Sequence, residues 1–212
     1  HEIEEKSLLE AFLLTPREWF CRPFNLPMAY ADSALPIGYG QMIPSPSLAL
    51  RMVSLLDPAP GEKVLEIGTG SGYEAALLAQ LTREVYTIEI IKPLAEETNH
   101  IFDEHVREMP RLGVIHRRIG DGYYGWAKEA PFDRIIVTAG IDHLPPELLS
   151  QLGPGGVMVV PIGPPSGQTL LKVTKEVGEG GKTIFVRKAI PDSRVVLLPM
   201  TNASGGTHDA ND

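Results

Sequence analysis

The stretch VLEIGTGSGYEAALLAQ, Val64 to Gln80, constrains the fold more than any other part of this chain. Val64, Leu65 and Ile67 form an apolar run without the alternation of a half-exposed strand, which reads as a buried parallel strand. Gly68, Gly70 and Gly72 break it, and a segment rich in Ala and Leu then reads as a helix. Strand, glycine turn and helix together make the first unit of a nucleotide-binding α/β fold. A second apolar run, Val85 to Ile88, ends in Glu89 about twenty residues after the glycines, where a carboxylate can accept both hydroxyls of a ribose.

The glycine spacing decides which ligand suits the turn. A dinucleotide fingerprint runs G-x-G-x-x-G and brings a pyrophosphate to a helix N-terminus. This chain has E-x-G-x-G-x-G, with Glu66 two positions before the first glycine. A carboxylate there repels a pyrophosphate but suits a ligand carrying an ammonium and a sulfonium. The charge logic therefore favours S-adenosylmethionine over NAD.

Elements alternate from Lys63 onward. Strands are expected near 64–67, 84–89, 114–119, 132–138 and 156–160, and helices near 72–81, 92–108 and 145–151. Beyond Gln168, Leu170 to Lys175 and Thr183 to Lys188 flank Gly178-Glu-Gly-Gly181 as a hairpin, and Val195 to Pro199 reads as a last short strand. Upstream, residues 2 to 14 have helical periodicity through Ile3, Leu8, Leu9, Phe12 and Leu13. Thr15 is expected to cap a new helix, with Pro16 at its first position and Glu18 closing a capping box. Residues 22 to 46 carry five prolines and read as ordered loop, after which Ser45-Pro46 opens a helix from Ser47 to Leu56.

The expected fold is a Rossmann-like, doubly wound and mostly parallel sheet with antiparallel C-terminal strands. Residues 1–60 form a helical and loop cap on the same domain, 61–200 the core, and 201–212 a disordered tail. The crevice should lie beyond the carboxyl ends of strands one and four of the core. There Asp121, between Gly120 and Gly122, could accept a hydrogen bond from an adenine amino group; the same residue also suits a plain turn.

Composition removes several classes of function. The net charge is −8 with no basic stripe, which disfavours nucleic acid. A single cysteine, Cys21, leaves no internal disulfide and fits a reducing cytosol, hence a cytoplasmic protein. No apolar run has the length to cross a bilayer, and no signal peptide is read ahead of the first helix. The six histidines show no metal-ligand spacing, so no metal is expected, and no stable partner is read.

Longer segments carry a resemblance. LPIGYGQMI (Leu35 to Ile43), VLEIGTGSGYEAALLA, GDGYYGW (Gly120 to Trp126), APFDRIIVTA (Ala130 to Ala139) and QLGPGGVMVVPIG (Gln151 to Gly163) resemble protein-L-isoaspartate O-methyltransferases. Ala29-Tyr30, Gln168-Thr-Leu and Arg194-Val-Val-Leu-Leu-Pro199 agree with them, so the resemblance spans residues 15 to 200. It implies methylation of isoaspartyl carboxylates in damaged proteins and peptides by S-adenosylmethionine, with S-adenosylhomocysteine as product. It further implies cofactor contacts from Glu66, Gly68, Thr69, Gly70, Ser71, Gly72, Glu89, Asp121, Gly122 and Thr138. Substrate contacts fall to Tyr30, Ile37, Gln41, Met42, Ile43 and Ala139.

One departure stands out. Where the family has Gln-Thr-Ile-Ser, then any residue, then Pro, this chain has Gln41-Met42-Ile43-Pro44-Ser45-Pro46. Two hydroxyls are lost, and Ser45 is the nearest replacement, expected as a catalytic residue with Glu66. A carboxylate acceptor is already an anion at neutral pH, so the site needs alignment and no general base. Donors from residues 41 to 47 and 138 to 140 would orient it, with room left by Ala139 and Gly140, while Glu66 stays ionised beside the cofactor cation. Two other readings stay open: the same fold acting on another carboxylate, and a cofactor-binding homologue that no longer transfers methyl.

Overall fold

In the computed structural model, residues 2–201 are described, so the expected tail at 201–212 lies outside the described residues except for Thr201, which forms an isolated bridge. A seven-stranded sheet organises the chain. Its strands are β3 (Lys63–Ile67), β4 (Glu84–Glu89), β5 (Ile115–Ile119), β6 (Phe132–Val137), β7 (Leu152–Ile162), β8 (Gln168–Val177) and β9 (Thr183–Val195), in the spatial order β5-β4-β3-β6-β7-β8-β9. The first five are parallel, and β8 and β9 add antiparallel. The order reverses between β3 and β6, which is the switch point expected from the sequence. The last short strand expected at 195–199 is instead the end of β9 followed by an extended segment, held beside Gly140 by a parallel bridge to Pro199.

Val64, Leu65 and Ile67 are buried on both faces of the sheet, which explains their unbroken apolar run. One face packs under α3 (Tyr73–Leu81), whose Ala75 to Ala79 are fully buried, and α4 (Lys92–His105), through Leu94 and Phe102. The other face carries Leu65, Ile135, Met158 and Val160 under α5 (Pro146–Gln151). A helix as apolar as Ala75 to Ala79 belongs in an interior position.

The N-terminal 60 residues differ most from expectation. The first helix, α1 (Glu2–Leu13), packs on α3 and on α2 (Pro46–Leu56). Leu8 and Phe12 reach the core, but Leu9 and Leu13 face solvent. Thr15 caps nothing: its hydroxyl donates back to the Ala11 carbonyl at 2.7 Å, and the segment after it is a short 3-10 turn, Arg17–Phe20. Within the proline-rich stretch lie a second 3-10 turn, Pro23–Met28, and an antiparallel ribbon of β1 (Leu35–Gly38) and β2 (Gln41–Ile43). The ribbon is too short and too rich in Pro and Gly for its alternation to be read from sequence.

Candidate active site

A cavity of about 580 Å³ opens at the carboxyl ends of β3, β4, β5 and β6. From those ends come Glu66 through Ser71, Ile88 to Ile91, Gly122, Thr138 and Ala139. Gln41, Met42, Ile43 and Ser45 line it from the N-terminal region. Thirteen of the sequence-expected site residues therefore meet in one place.

The other four do not line it, and each has a local reason. Tyr30 is 56% exposed, and its hydroxyl donates to Glu18. Ile37 is buried behind the glycine loop, where a Cβ on Gly70 would come within 3.5 Å of its Cδ1. Asp121 accepts the Tyr123 N–H at 2.9 Å as the cap of a short turn. Gly72 is a packing residue: at φ +88° a Cβ there would meet Phe102 Cζ at 2.5 Å and Thr98 Cγ2 at 2.7 Å. Gly68 is different, because it brings backbone beside the cavity at φ +99°, with a built Cβ only 2.6 Å from Thr138 Oγ1.

Two buried carboxyls set the electrostatics of the β3 and β4 ends. Glu66 is completely buried; its Oε2 accepts from Thr87 Oγ1, which lies 2.6 Å from Thr69 Oγ1. Its Oε1 has no partner among the described residues. Burial, with Glu74 and Glu89 nearby, pushes this carboxyl well above the ordinary carboxylate range. Without a cation beside it, desolvation opposes the charged form; the expectation that Glu66 stays ionised refers to the site with the cofactor cation bound. Glu89 accepts the Ile91 and Gly70 N–H groups, each at 2.9 Å. Burial raises its pKa and those donors pull it back.

The side of the cavity lined by residues 41–45 is held from behind by a buried cation. Arg17 donates to the carbonyls of Ala29 and Pro44, the latter at 2.7 Å, and so fixes the backbone where two family hydroxyls are missing. Ser45 lines the cavity, but its Oγ is also the N-cap of α2, accepting from Leu48 N at 3.4 Å. The donors expected from 138–140 are largely taken. Thr138 Oγ1 sits 2.9 and 2.8 Å from the Ile67 and Gly68 carbonyls, and Gly140 N donates to Leu198 O at 2.8 Å. Nor does Gly140 leave open space, since a Cβ on it would meet Gln168 Nε2 at 2.7 Å and Leu197 O at 3.1 Å. The chain's own residues 196–201 fill that side and form a wall of the cavity.

Sequence reasoning missed several lining residues. Glu74 and Tyr73 enter from α3, and Asp32 and Ser33 from the loop before β1. Glu74 had a signal, being the one acid inside the apolar helix YEAALLAQL. Ser33 had none, yet its buried Oγ has no partner among the described residues. Asp32 accepts the Ser47 N–H at 3.0 Å, a bond that holds its carboxyl below the usual range. The three aromatics of the Gly120 to Trp126 segment do not line the cavity: Tyr123 bonds His143 Nε2 at 2.9 Å, Tyr124 stands edge-on to Tyr123, and Trp126 stands edge-on to Tyr86. Among the described residues, no acid, His or Cys cluster could hold a metal, and no helix is long and apolar enough to cross a membrane.

Comparison with known proteins agrees with this fold. A family model described as protein-L-isoaspartate(D-aspartate) O-methyltransferase matches residues 1–201. The protein-L-isoaspartate O-methyltransferase 2 of Shewanella sediminis is 47% identical over 203 residues, covering 94% of this chain and 78% of that one. A solved protein-L-isoaspartate O-methyltransferase superposes with a TM-score of 0.77 at 26% identity, over 96% of this chain and 65% of that one. A Plasmodium falciparum structure in complex with S-adenosyl-L-homocysteine has the same fold, with a TM-score of 0.73 at 21% identity, over 92% and 90%.

Proposed function

The chain belongs to the protein-L-isoaspartate(D-aspartate) O-methyltransferase family, and from that premise we propose that it methylates isoaspartyl carboxylates in damaged proteins and peptides, using S-adenosylmethionine. The observation that carries the reading is the pairing of Glu66, with its orphaned buried Oε1, and Glu89 in one cavity at the switch point. These residues fit the cofactor: Glu66 would hold its cationic end and Glu89 its ribose hydroxyls, with Gly122 at the adenine side. Bound there, the cofactor supplies an electrophilic methyl group.

The protein's own task is alignment. An acceptor carboxylate with a reference pKa near about 4 is already an anion at neutral pH. No base has to remove a proton, and positioning can contribute up to about 7–11 kcal/mol. Ser45 and Ser33 both line the cavity and would supply hydroxyl donors to the acceptor, in place of the family hydroxyls lost at Met42 and Pro44. Both stand on backbone that Arg17 ties down through the Pro44 and Ser33 carbonyls. Residues 1–60 serve as a cap that carries these donors to the core. The ester formed is open to attack by the next backbone nitrogen, giving a succinimide that hydrolyses partly to normal aspartate. The reducing cytoplasm fits a chain with one cysteine.

Methyl transfer from labelled S-adenosylmethionine to a matched pair of peptides, one with isoaspartate and one with aspartate, tests the proposal. Base-labile label on the isoaspartyl peptide alone is the expected result. Cofactor binding with label on neither peptide would overturn it and direct the search to other carboxylates.

A further inference from the structure

Glu74 plays no part in the function proposed above. It stands in the first turn of α3, is 5% exposed and lines the same cavity as Glu66. Neither of its carboxyl oxygens has a partner among the described residues. An interior carboxyl without a hydrogen bond is unfavourable whether charged or neutral, and such groups are rare in folded proteins. A merely structural role does not account for it. Its neighbours Ala75, Ala76, Leu77 and Leu78 are apolar and fully buried, so an apolar side chain would satisfy that packing at lower cost.

Glu66 and Glu74, which between them carry three buried carboxyl oxygens without a partner among the described residues, both line one cavity. Only a ligand that donates hydrogen bonds or carries positive charge complements them. We propose that Glu74 is a second anionic wall of the cofactor site, and that with Glu66 it makes the protein distinguish the sulfonium cofactor from its thioether product.

This rests on the cofactor reading above and deepens it. S-adenosylmethionine carries an ammonium, a sulfonium and a carboxylate, for a net charge of +1. Methyl transfer breaks the sulfur–methyl bond, leaves the electron pair on sulfur, and forms the oxygen–methyl bond of the ester. The product retains the ammonium and the carboxylate, for a net charge of zero. A second buried carboxylate is therefore attracted by one more positive charge before transfer than after it. Once the sulfonium charge is gone, the pair of acids is left with one cation between them, and the carboxyl group of Glu74 takes up a proton from solvent.

The surroundings support that exchange. The titratable groups facing this corner are Glu66 on β3, Glu89 at the end of β4, and Tyr73 beside Glu74 on α3, with the Arg17 guanidinium 5.7 Å over the Tyr73 ring. Burial pushes the Glu74 carboxyl up to about 8, so near neutral pH it is protonated in the ligand-free protein. Arrival of the charged cofactor favours its ionised form and releases that proton.

Calorimetric titration of the intact chain with S-adenosylmethionine and with S-adenosylhomocysteine, in two buffers of different ionisation enthalpy, tests this without any turnover. For the unaltered protein at pH 7, more protons are expected to be released per S-adenosylmethionine bound than per S-adenosylhomocysteine. Glu74→Gln, nearly the same shape without the charge, is expected to abolish that difference and to shift the ratio of the two affinities about tenfold toward the product. Equal proton release for both ligands in the unaltered protein overturns the proposal, and needs no variant to fold. So does a Glu74→Gln protein whose affinity ratio is unchanged within about twofold. Failure of the unaltered protein to bind either ligand would instead refute the cofactor reading on which both stand.

Discussion

Arg17→Lys isolates the contribution of a single buried fork to the acceptor end of the site. Arg17 has no exposed surface, donates through one terminal nitrogen to Ala29 O, and through the other to Pro44 O at 2.7 Å and Ser33 O at 3.4 Å. Lysine keeps the charge but presents one point of donation, so it cannot reach carbonyls on both sides. At least one short bond from a charged donor is lost, worth about 1.5–3 kcal/mol, and a buried carbonyl is orphaned, worth a further 1–3 kcal/mol or so. The two terms overlap, and a net loss of about 2–4 kcal/mol follows. For a chain of this size that is a fall in Tm of roughly 4–16 °C. Thermal unfolding followed by circular dichroism measures it. Steady-state kinetics with an isoaspartyl peptide should show KM for the peptide rising while the affinity for S-adenosylmethionine stays within about threefold, because Arg17 touches the Pro44 side of the cavity and not the glycine loop. A Tm within 2 °C or so of the unaltered protein, with peptide KM unchanged, would refute the view that this guanidinium holds the acceptor loop in place.

Glu66→Gln should weaken S-adenosylmethionine binding by about tenfold or more, read by calorimetry, while the protein still folds. Intact affinity and turnover would remove Glu66 from the cofactor site. Ser33→Ala should lower kcat/KM for the isoaspartyl peptide about tenfold with little change in Tm, since its Oγ bonds nothing among the described residues. Gly72→Ala forces a side chain into positive φ and against Phe102, and chemical denaturation should show a loss of about 2–4 kcal/mol. The ligand-free protein should lose stability as pH rises from about 4.5 through 8. Glu74 has its folded pKa raised above the unfolded value, so the folded state binds the extra proton in that window. The slope from this group approaches about 1.4 kcal/mol per pH unit, and Glu74→Gln should flatten denaturant midpoints measured across that range.

The order of the sheet and the place of the cavity were legible because they depend on local pattern. The unbroken run at Val64 to Ile67, three glycines at alternate positions and an acid at the end of the next run leave few other folds. The glycines themselves were legible only as a group. Sequence assigns all three to ligand, whereas Gly72 answers to Phe102, thirty positions downstream, which only the packed structure brings against it. Thr15 followed the rule for a capping residue and was overridden, since the carbonyl of Ala11 was the nearer partner for its hydroxyl. Ser33 and Arg17 were out of reach for a related reason: their worth lies in contacts to Pro44 and the cavity, set by how the ribbon folds back. Glu66 was legible as an acid of the turn, but its raised pKa was not, because it follows from burial and from Glu74 and Glu89, which only the folded chain brings near it.

The wall built by residues 196–201 has a consequence in time. The glycine loop and the cavity-lining acids Glu66 and Glu89 are synthesised about 120 residues before that segment, yet the segment passes beside Gly140 and closes one side of the same cavity. A growing chain therefore owns the binding chemistry well before it owns the container. Until Leu197 N reaches Gln168 Oε1 and Met200 N reaches Gly140 O, the pocket stays open to water along that side. Full enclosure of a ligand is therefore expected only after β9 has been laid down, so that a closed, occupied site would report that the whole sheet has been assembled.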